Sequence, residues 1–266
     1  MNTRPAPQRA ARLLPWLIPG GVALIWLLTS ASGSVPAYLV PHPETVLAAL
    51  RTYIFAEPGS APYAGRFLGD FWASSQRVMI GFLLAALLGL PLGILSGRCA
   101  GIRRLLGTSL NAVRAVPGIC WLPLALVWFG IGIKATVFLV ATAAFFPIFL
   151  NAEAGARQVN PVLLHAGAML GVTPTRAVFA VLLPALMPNI VTGLRLGLGV
   201  SWAYLVLGEL TGVPNGLGAI IMDARMLGRT DIVVVGIILI ALIGRLSDSG
   251  LHLLLRLCFR SARRLA

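Results

Sequence analysis

Long apolar stretches separated by short polar segments dominate this chain. About 20 apolar residues make one helical crossing of a bilayer, and six stretches approach or exceed that length. Their apolar runs are continuous rather than alternating, which favours helices over barrel strands because a helix satisfies its own backbone hydrogen bonds. The predicted spans are residues 14–29, 78–96, 116–131, 136–150, 189–210 and 232–254.

The composition agrees with a chain that lies mostly in lipid. Apolar residues make up 58% and charged residues 11% of the sequence, whereas a soluble domain has about 25% charged residues. The net charge of +13 does not predict nucleic-acid binding, because the arginines are spread between the apolar stretches instead of forming one basic surface. We therefore predict an all-α polytopic membrane protein with about six transmembrane helices, in which residues 1–266 form a single domain.

The basic residues are unequally divided between alternate polar segments. Thirteen arginines on one predicted side oppose only Glu153, and they are Arg4, Arg9, Arg12, Arg98, Arg103, Arg104, Arg114, Arg157, Arg176, Arg256, Arg260, Arg263 and Arg264. Cytoplasmic segments are the ones enriched in Lys and Arg. The N-terminus (1–13), the segment 151–188 and the tail (255–266) are therefore predicted to be cytoplasmic. Residues 30–77 then form an external loop, in which 66–77 is predicted to be an interfacial helix.

The residue inventory argues against an enzyme. The sequence contains no GxSxG, HExxH, paired CxxC or GKS/GKT motif, and its three histidines, His42, His165 and His252, fall on different segments. We predict no catalytic residue, no metal ligand and no cofactor on this chain. Any ATP hydrolysis, with its Mg²⁺, would take place on a separate ATPase subunit.

Four ionisable residues lie in or at the ends of the predicted spans: Arg195, Glu209, Arg245 and Asp248. Such residues are costly in hydrocarbon and usually face the bundle interior or a wet path. Arg245 and Asp248, three residues apart, are predicted to pair on one helix face. Arg195 either lines a path for an anion or bonds to backbone carbonyls, and Glu209 either caps or gates. Glycines predicted to give close helix contact are Gly81, Gly89, Gly93, Gly193, Gly197 and Gly199.

Residues 165–184, HAGAMLGVTPTRAVFAVLLP, form a fairly polar segment between two apolar spans. Small residues at 166–168 and 171 predict a helix with a thin face that fits a groove on another protein. Gly171 and the pair Thr173–Pro174 are expected to end this helix and start the next, since proline suits a first helical turn. Pro184 and Pro188 are expected to interrupt the chain before the fifth span.

This pattern resembles the E-A-A-x3-G-x9-I-x-L-P loop of ABC-importer permeases. Ala166, Gly171, Val181 and the pair Leu183–Pro184 match it, whereas His165 and Gly167 replace its glutamate and second alanine. Residues 39–47, 128–132, 145–148 and 230–236 also look like the nitrate/sulfonate/taurine group of these permeases.

The resemblance implies a type I ABC importer permease in the bacterial inner membrane. Its partners would be a second permease copy, two cytoplasmic ATPase subunits and an external solute-binding protein. The segment 165–184 would dock on the ATPase through shape and backbone contacts, with Arg157 or Arg176 supplying charge because a neutral His165 cannot form a salt bridge. The solute would be a small anion such as an aliphatic sulfonate, taurine or nitrate. A pyrimidine vitamin precursor remains an alternative. An ion-coupled secondary transporter is another, for which Glu209 and Asp248 are the intramembrane carboxylates.

Overall fold

The computed structural model describes residues 8–33 and 35–258, and the side chains of residues 17–33 and 35–257. Every regular element in this described part of the chain is helical, as predicted. The α-helices are α1 Gln8–Ala31, α2 Pro43–Phe55, α3 Phe67–Arg98, α4 Ala100–Ala115, α5 Trp121–Phe129, α6 Ile133–Gln158, α7 Pro161–Met169, α8 Pro174–Ala177, α9 Leu183–Glu209, α10 Leu217–Met226 and α11 Thr230–Cys258.

Four helical stretches are long and apolar enough to cross a membrane: Phe67–Arg98, Ile133–Gln158, Pro174–Glu209 and Thr230–Leu257. A fifth arises if α4 and the segment Gly118–Phe129, which are bent by 82° at their junction, count as one span. Leu17–Ala31 is a shorter apolar helix. The prediction of several apolar membrane helices is confirmed, and the number six is approximate.

The third predicted span, 116–131, is wrong as a single straight helix. Pro117 precedes a 3-10 turn at Gly118–Cys120, and only then does α5 begin. With nine residues at 1.5 Å each, α5 is about 14 Å long, which is too short to cross the hydrocarbon alone. Proline lacks the backbone N–H that a continuous helix needs, so α4 ends before it at Ala115.

The helix predicted at 66–77 is not a separate element. Residues 67–77 form the first turns of α3, a continuous 32-residue helix that contains Pro91. Asp70, Ser74 and Arg77 are buried rather than spread along a membrane surface. Within the predicted external loop, residues 43–55 form α2, with Pro43 in its first turn.

The chain divides into two compact units, Met1–Phe67 with Ile220–Ile237 and Leu68–Ala219 with Ile238–Ala266. In the first unit, Trp26 Nε1 donates to the Pro41 carbonyl at 3.1 Å, and Ser30 Oγ lies 2.7 Å from His42 Nδ1. These bonds join α1 to the segment that leads into α2.

Glycines set the close packing of α6 against α3 and α9 in the second unit. A Cβ at Gly81 would lie 2.6 Å from Val140, and one at Gly197 would lie 2.8 Å from Ile148. A Cβ at Gly93 or Gly193 would also lie less than 3.0 Å from an atom of α6, and one at Gly89 would lie 3.1 Å from Ile148, whereas no atom lies within 4 Å of a Cβ at Gly199. The prediction of close contact is therefore confirmed at five of the six positions and wrong at Gly199.

Candidate functional site: the coupling segment and the buried ion pairs

The segment between α6 and α9 begins with a well-formed helix start. Asn160 accepts a hydrogen bond on Oδ1 from the Val162 N–H at 3.0 Å, and Pro161 occupies the first turn of α7. Asparagine at this position satisfies an N–H that the helix leaves free, and proline there sacrifices no hydrogen bond. Because α6 continues to Gln158, residues 151–158 of the predicted loop are helical.

Gly171 ends α7 through its left-handed backbone, with φ of 79°. The Gly171 N–H donates to the Ala168 carbonyl and the Val172 N–H to the Gly167 carbonyl, both at 3.0 Å. This pair of bonds defines a Schellman motif, in which a glycine at this position is favoured because it has no Cβ. The predicted break at Gly171 is confirmed, as is the restart at Pro174.

Beyond the break, the chain stays helical from Pro174 to Glu209. A wide π turn at Val178–Leu182 separates α8 from α9. Pro184 follows this turn and lacks the N–H that would bond to the Ala180 carbonyl, which explains why the ladder is locally rearranged. The predicted interruption at Pro184 and Pro188 is therefore wrong, because the helix widens at Pro184 and continues through Pro188.

Large apolar side chains are exposed on this segment, although its sequence is rich in small residues. Met169, Leu170 and Phe179 are 90%, 84% and 72% exposed. Gly167 faces inward, where a Cβ would lie 3.7 Å from Val181. The outward surface thus consists of large apolar side chains beside small ones, rather than of a thin small-residue face alone.

The remaining predicted coupling residues lie around this surface. His165, Ala166 and Pro184 are exposed, and Leu183 is half-buried. Arg157, in the last turn of α6, and Arg176, on α8, are both exposed. Neither arginine forms a hydrogen bond or ion pair with another residue whose side chain the structure describes.

Glu209 lies fully buried at the end of α9. Its Oε1 accepts hydrogen bonds from Ser74 Oγ at 2.8 Å and Arg77 Nη1 at 2.5 Å, and its Oε2 accepts from the Gly218 N–H at 2.7 Å. Of the two roles considered for Glu209, this geometry is that of a cap: the carboxylate satisfies a free N–H at the start of α10.

The same helix start is held by two further side chains. Ser74 Oγ accepts from the Leu217 N–H and Asp70 Oδ1 from the Gly216 N–H, each at 2.9 Å. The sequence analysis did not identify the roles of Asp70, Ser74 and Arg77, because each lies 132 to 146 positions along the chain from the residue that it contacts. The available signal was Glu209 closely followed by the sequence G-L-G at residues 216–218. A side chain at Gly216 or Gly218 would collide with Glu209, so these glycines indicate that its side chain lies against the start of α10.

Arg195 pairs with the Asp248 carboxylate rather than with a backbone carbonyl. Its Nε and Nη2 donate to the two carboxylate oxygens at 2.8 and 2.7 Å, a bidentate arrangement that joins α9 to α11. Arg245 reaches the same carboxylate at 3.2 Å, as its three-residue spacing predicted. Trp202 adds a second link, since its Nε1 donates to Ser247 Oγ at 2.8 Å.

Comparison with known proteins gives the context for these features. The family model described as "Binding-protein-dependent transport system inner membrane component" matches residues 89–257. The chain is 36% identical, over 96% of its length and 90% of the relative's, to a Bacillus subtilis permease protein named for aliphatic sulfonates transport, SsuC. It is 34% identical to the taurine transport system permease protein TauC of Escherichia coli, over 87% of this chain and 83% of the relative.

The fold is also that of a solved transporter subunit. A chain from inward-facing conformations of the MetNI methionine ABC transporter matches with a TM-score of 0.56 and 23% identity, covering 70% of this chain and 95% of that one. At this identity the match concerns the fold, which is that of a type I ABC importer permease. The sequence, the helical architecture and the family match therefore lead to one conclusion: the chain belongs to the binding-protein-dependent transport family, as an inner-membrane permease component of ABC importers.

Proposed function

We propose that this chain forms the translocation pathway of an importer for a small organic sulfonate, and that α7 and α8 couple it to an ATPase subunit. The relatives named for aliphatic sulfonates and for taurine share the sulfonate group. This shared chemistry favours an anionic solute over the pyrimidine precursor. Two copies of the chain, two ATPase subunits and an external binding protein complete the proposed assembly.

The observation that supports coupling most strongly is the exposed apolar surface of the segment. A projecting helix and turn that present Met169, Leu170 and Phe179 to the surroundings would be unfavourable in water. Large exposed apolar side chains that are grouped in one short segment mark a candidate site of protein association. The Schellman motif at Gly171 fixes the direction of the chain after α7, so the two helices can move as one lever when the ATPase closes.

Arg157 and Arg176 supply the charge in this proposal. The family pattern has a glutamate where this chain has His165. Two exposed arginines without a carboxylate partner among the described side chains are suited to acidic residues on the ATPase. Docking then combines an apolar centre with a charged rim.

The ATPase association test uses the full chain co-expressed with the phosphate-loop ATPase of its own transporter. Met169→Asp and Leu170→Asp should reduce ATPase co-purification at least tenfold, because each places a charge in the apolar centre. Reversal of both Arg157 and Arg176 to Glu should weaken it about tenfold. Leu39→Asp is the matched control, since Leu39 is also exposed but lies in the predicted external loop. Unchanged co-purification in all three segment variants would refute docking through this surface.

The solute requires a separate measurement. Proteoliposomes that contain the permease and ATPase, supplied with the binding protein, should accumulate radiolabelled ethanesulfonate or taurine only when ATP is present. Uptake driven by an ion gradient in the absence of ATP would instead support the secondary transporter. A ligand screen on the binding protein would then separate sulfonates from nitrate.

A further inference from the structure

Two cavities follow one face of α6 in the second compact unit. The first, here called the Tyr204 cavity, has a volume of about 130 Å³ and is lined by Tyr204, Trp121 and Ala143, among others. The second, the Glu153 cavity, has a volume of about 370 Å³ and lies between α4 and α6, with Glu153 and Ala154 in its wall. About 10–15 Å³ is enough for one water molecule, so both are large enough to be wet.

The two cavities share the residues Arg114 and Phe146 in their walls. The residues that α6 contributes recur every three or four positions, from Leu139 through Phe146 to Arg157. Residues at this spacing lie on one helix face. The cavities therefore form consecutive parts of one stripe, and Arg114 lies at their junction.

The charge of this stripe is positive. Arg103, Arg114 and Arg157 line the Glu153 cavity, opposed there by Glu153, whose Oε1 accepts a hydrogen bond from Ser96 Oγ at 3.1 Å. Within the part of the chain whose side chains are described, these three arginines form no hydrogen bond or ion pair with a side chain.

Two other arginines of the second unit differ in this respect. Arg77 pairs with Glu209, and Arg195 pairs in bidentate fashion with Asp248. In those two cases the structure itself neutralises the cation. Arg103 and Arg114 keep their charge available to a ligand, and a cleft whose walls carry an excess of one sign of charge concentrates ions of the opposite sign.

We propose that this α6 stripe is part of the solute pathway and that Arg114 selects anions at the junction of the two cavities. This inference rests on the proposed function, which makes the chain a pathway for sulfonates. In this role, the guanidinium of Arg114 can hold two sulfonate oxygens through parallel N–H bonds. Tyr204 and Trp121 provide the less polar surroundings beyond it.

The test measures the charge of the pathway without reference to the natural solute. In the full chain with Cys99, Cys120 and Cys258 replaced by Ser, Ala143→Cys and Ala154→Cys each place one thiol in a cavity wall. Each thiol is then treated with an anionic methanethiosulfonate bearing a sulfonate group and with a cationic one bearing a trimethylammonium group. The readout is the ratio of the anionic to the cationic modification rate.

Arg114→Gln should lower that ratio about tenfold at both positions, because loss of a nearby positive charge acts in opposite senses on the two reagents. Arg114→Lys should preserve the ratio. Arg103→Gln is a second variant and should lower it at Ala154→Cys. Arg104→Gln is the matched control, since Arg104 is exposed, adjacent in sequence to Arg103 and absent from the cavity walls.

Two results would overturn the proposal: equal ratios in Arg114→Gln and Arg104→Gln, or thiols that neither reagent modifies. Ethanesulfonate uptake is measured in parallel. If the chain carries no sulfonate and the ratio still depends on Arg114, the proposed solute fails while the anionic pathway stands. If sulfonate uptake is normal in Arg114→Gln and the ratio is unchanged, the pathway assignment fails and the proposed function stands.

Discussion

Glu209 is a buried carboxylate whose neighbours offer it three hydrogen-bond donors, from Ser74, Arg77 and Gly218. Glu209→Ala should therefore destabilise the chain by about 3–5 kcal/mol, because it leaves the Arg77 cation buried without its partner. The measurement is the free energy of unfolding of the purified protein in mixed detergent micelles. Glu57→Ala is the control, since Glu57 is exposed in the predicted external loop.

The same ion pair gives a second comparison within one experiment. Replacement of both partners, Arg77→Met with Glu209→Leu, removes the uncompensated charge and should recover part of the stability that Glu209→Ala loses. The Gly218 N–H would still lack its acceptor, so recovery should be incomplete. Equal losses in Glu209→Ala and Glu57→Ala would contradict the structural role of this carboxylate.

Helix α9 carries two glycines, two residues apart, whose replacement by alanine is expected to have opposite effects on the stability of the protein. A Cβ at Gly197 would lie 2.8 Å from Ile148, which is fully buried on α6, whereas a Cβ at Gly199 meets no atom within 4 Å. Gly197→Ala should destabilise by about 1–3 kcal/mol through overpacking. Gly199→Ala should stabilise by up to about 1 kcal/mol through helix propensity. Thermal unfolding of the two variants side by side checks this, and a loss at Gly199 equal to that at Gly197 would argue against the α6–α9 contact.

Helix α7 offers a similar pair around its Schellman motif. Gly171→Ala forces a Cβ into a left-handed backbone and should cost about 1–2 kcal/mol. Gly167→Ala places a methyl group in ordinary contact with Val181, 3.7 Å away, and should stabilise α7 by up to about 1 kcal/mol. Hydrogen exchange of the Val172 amide, which bonds to the Gly167 carbonyl, reports both effects. Faster exchange in Gly171→Ala and slower exchange in Gly167→Ala are expected, and the reverse order would exclude the motif.

The elements that sequence predicted well are those fixed by local chemistry. Continuous apolar runs gave the long helices, and Gly171 and Pro174 gave the break after α7, because each acts within a few residues of itself. The errors have different causes. Pro117 and Pro184 have the same chemistry, yet the chain bends at the first and widens at the second, and only the surrounding packing separates these outcomes. The side-chain partners of Glu209 on α3 and the Asp248 partner of Arg195 lie more than 50 residues away along the chain and follow from the tertiary fold.

At the scale of the whole molecule, the unequal distribution of arginines predicts that both termini and the segment 151–188 are cytoplasmic. In a cysteine-free background, Ala168→Cys should resist a membrane-impermeant maleimide in intact cells, and Glu57→Cys should react with it, since both residues are exposed in the structure but lie on opposite predicted sides. Cells made permeable provide the control, because both thiols should then react. Labelling of Ala168→Cys in intact cells would place α7 outside, where no ATPase could reach it, and would remove the basis of the proposed coupling.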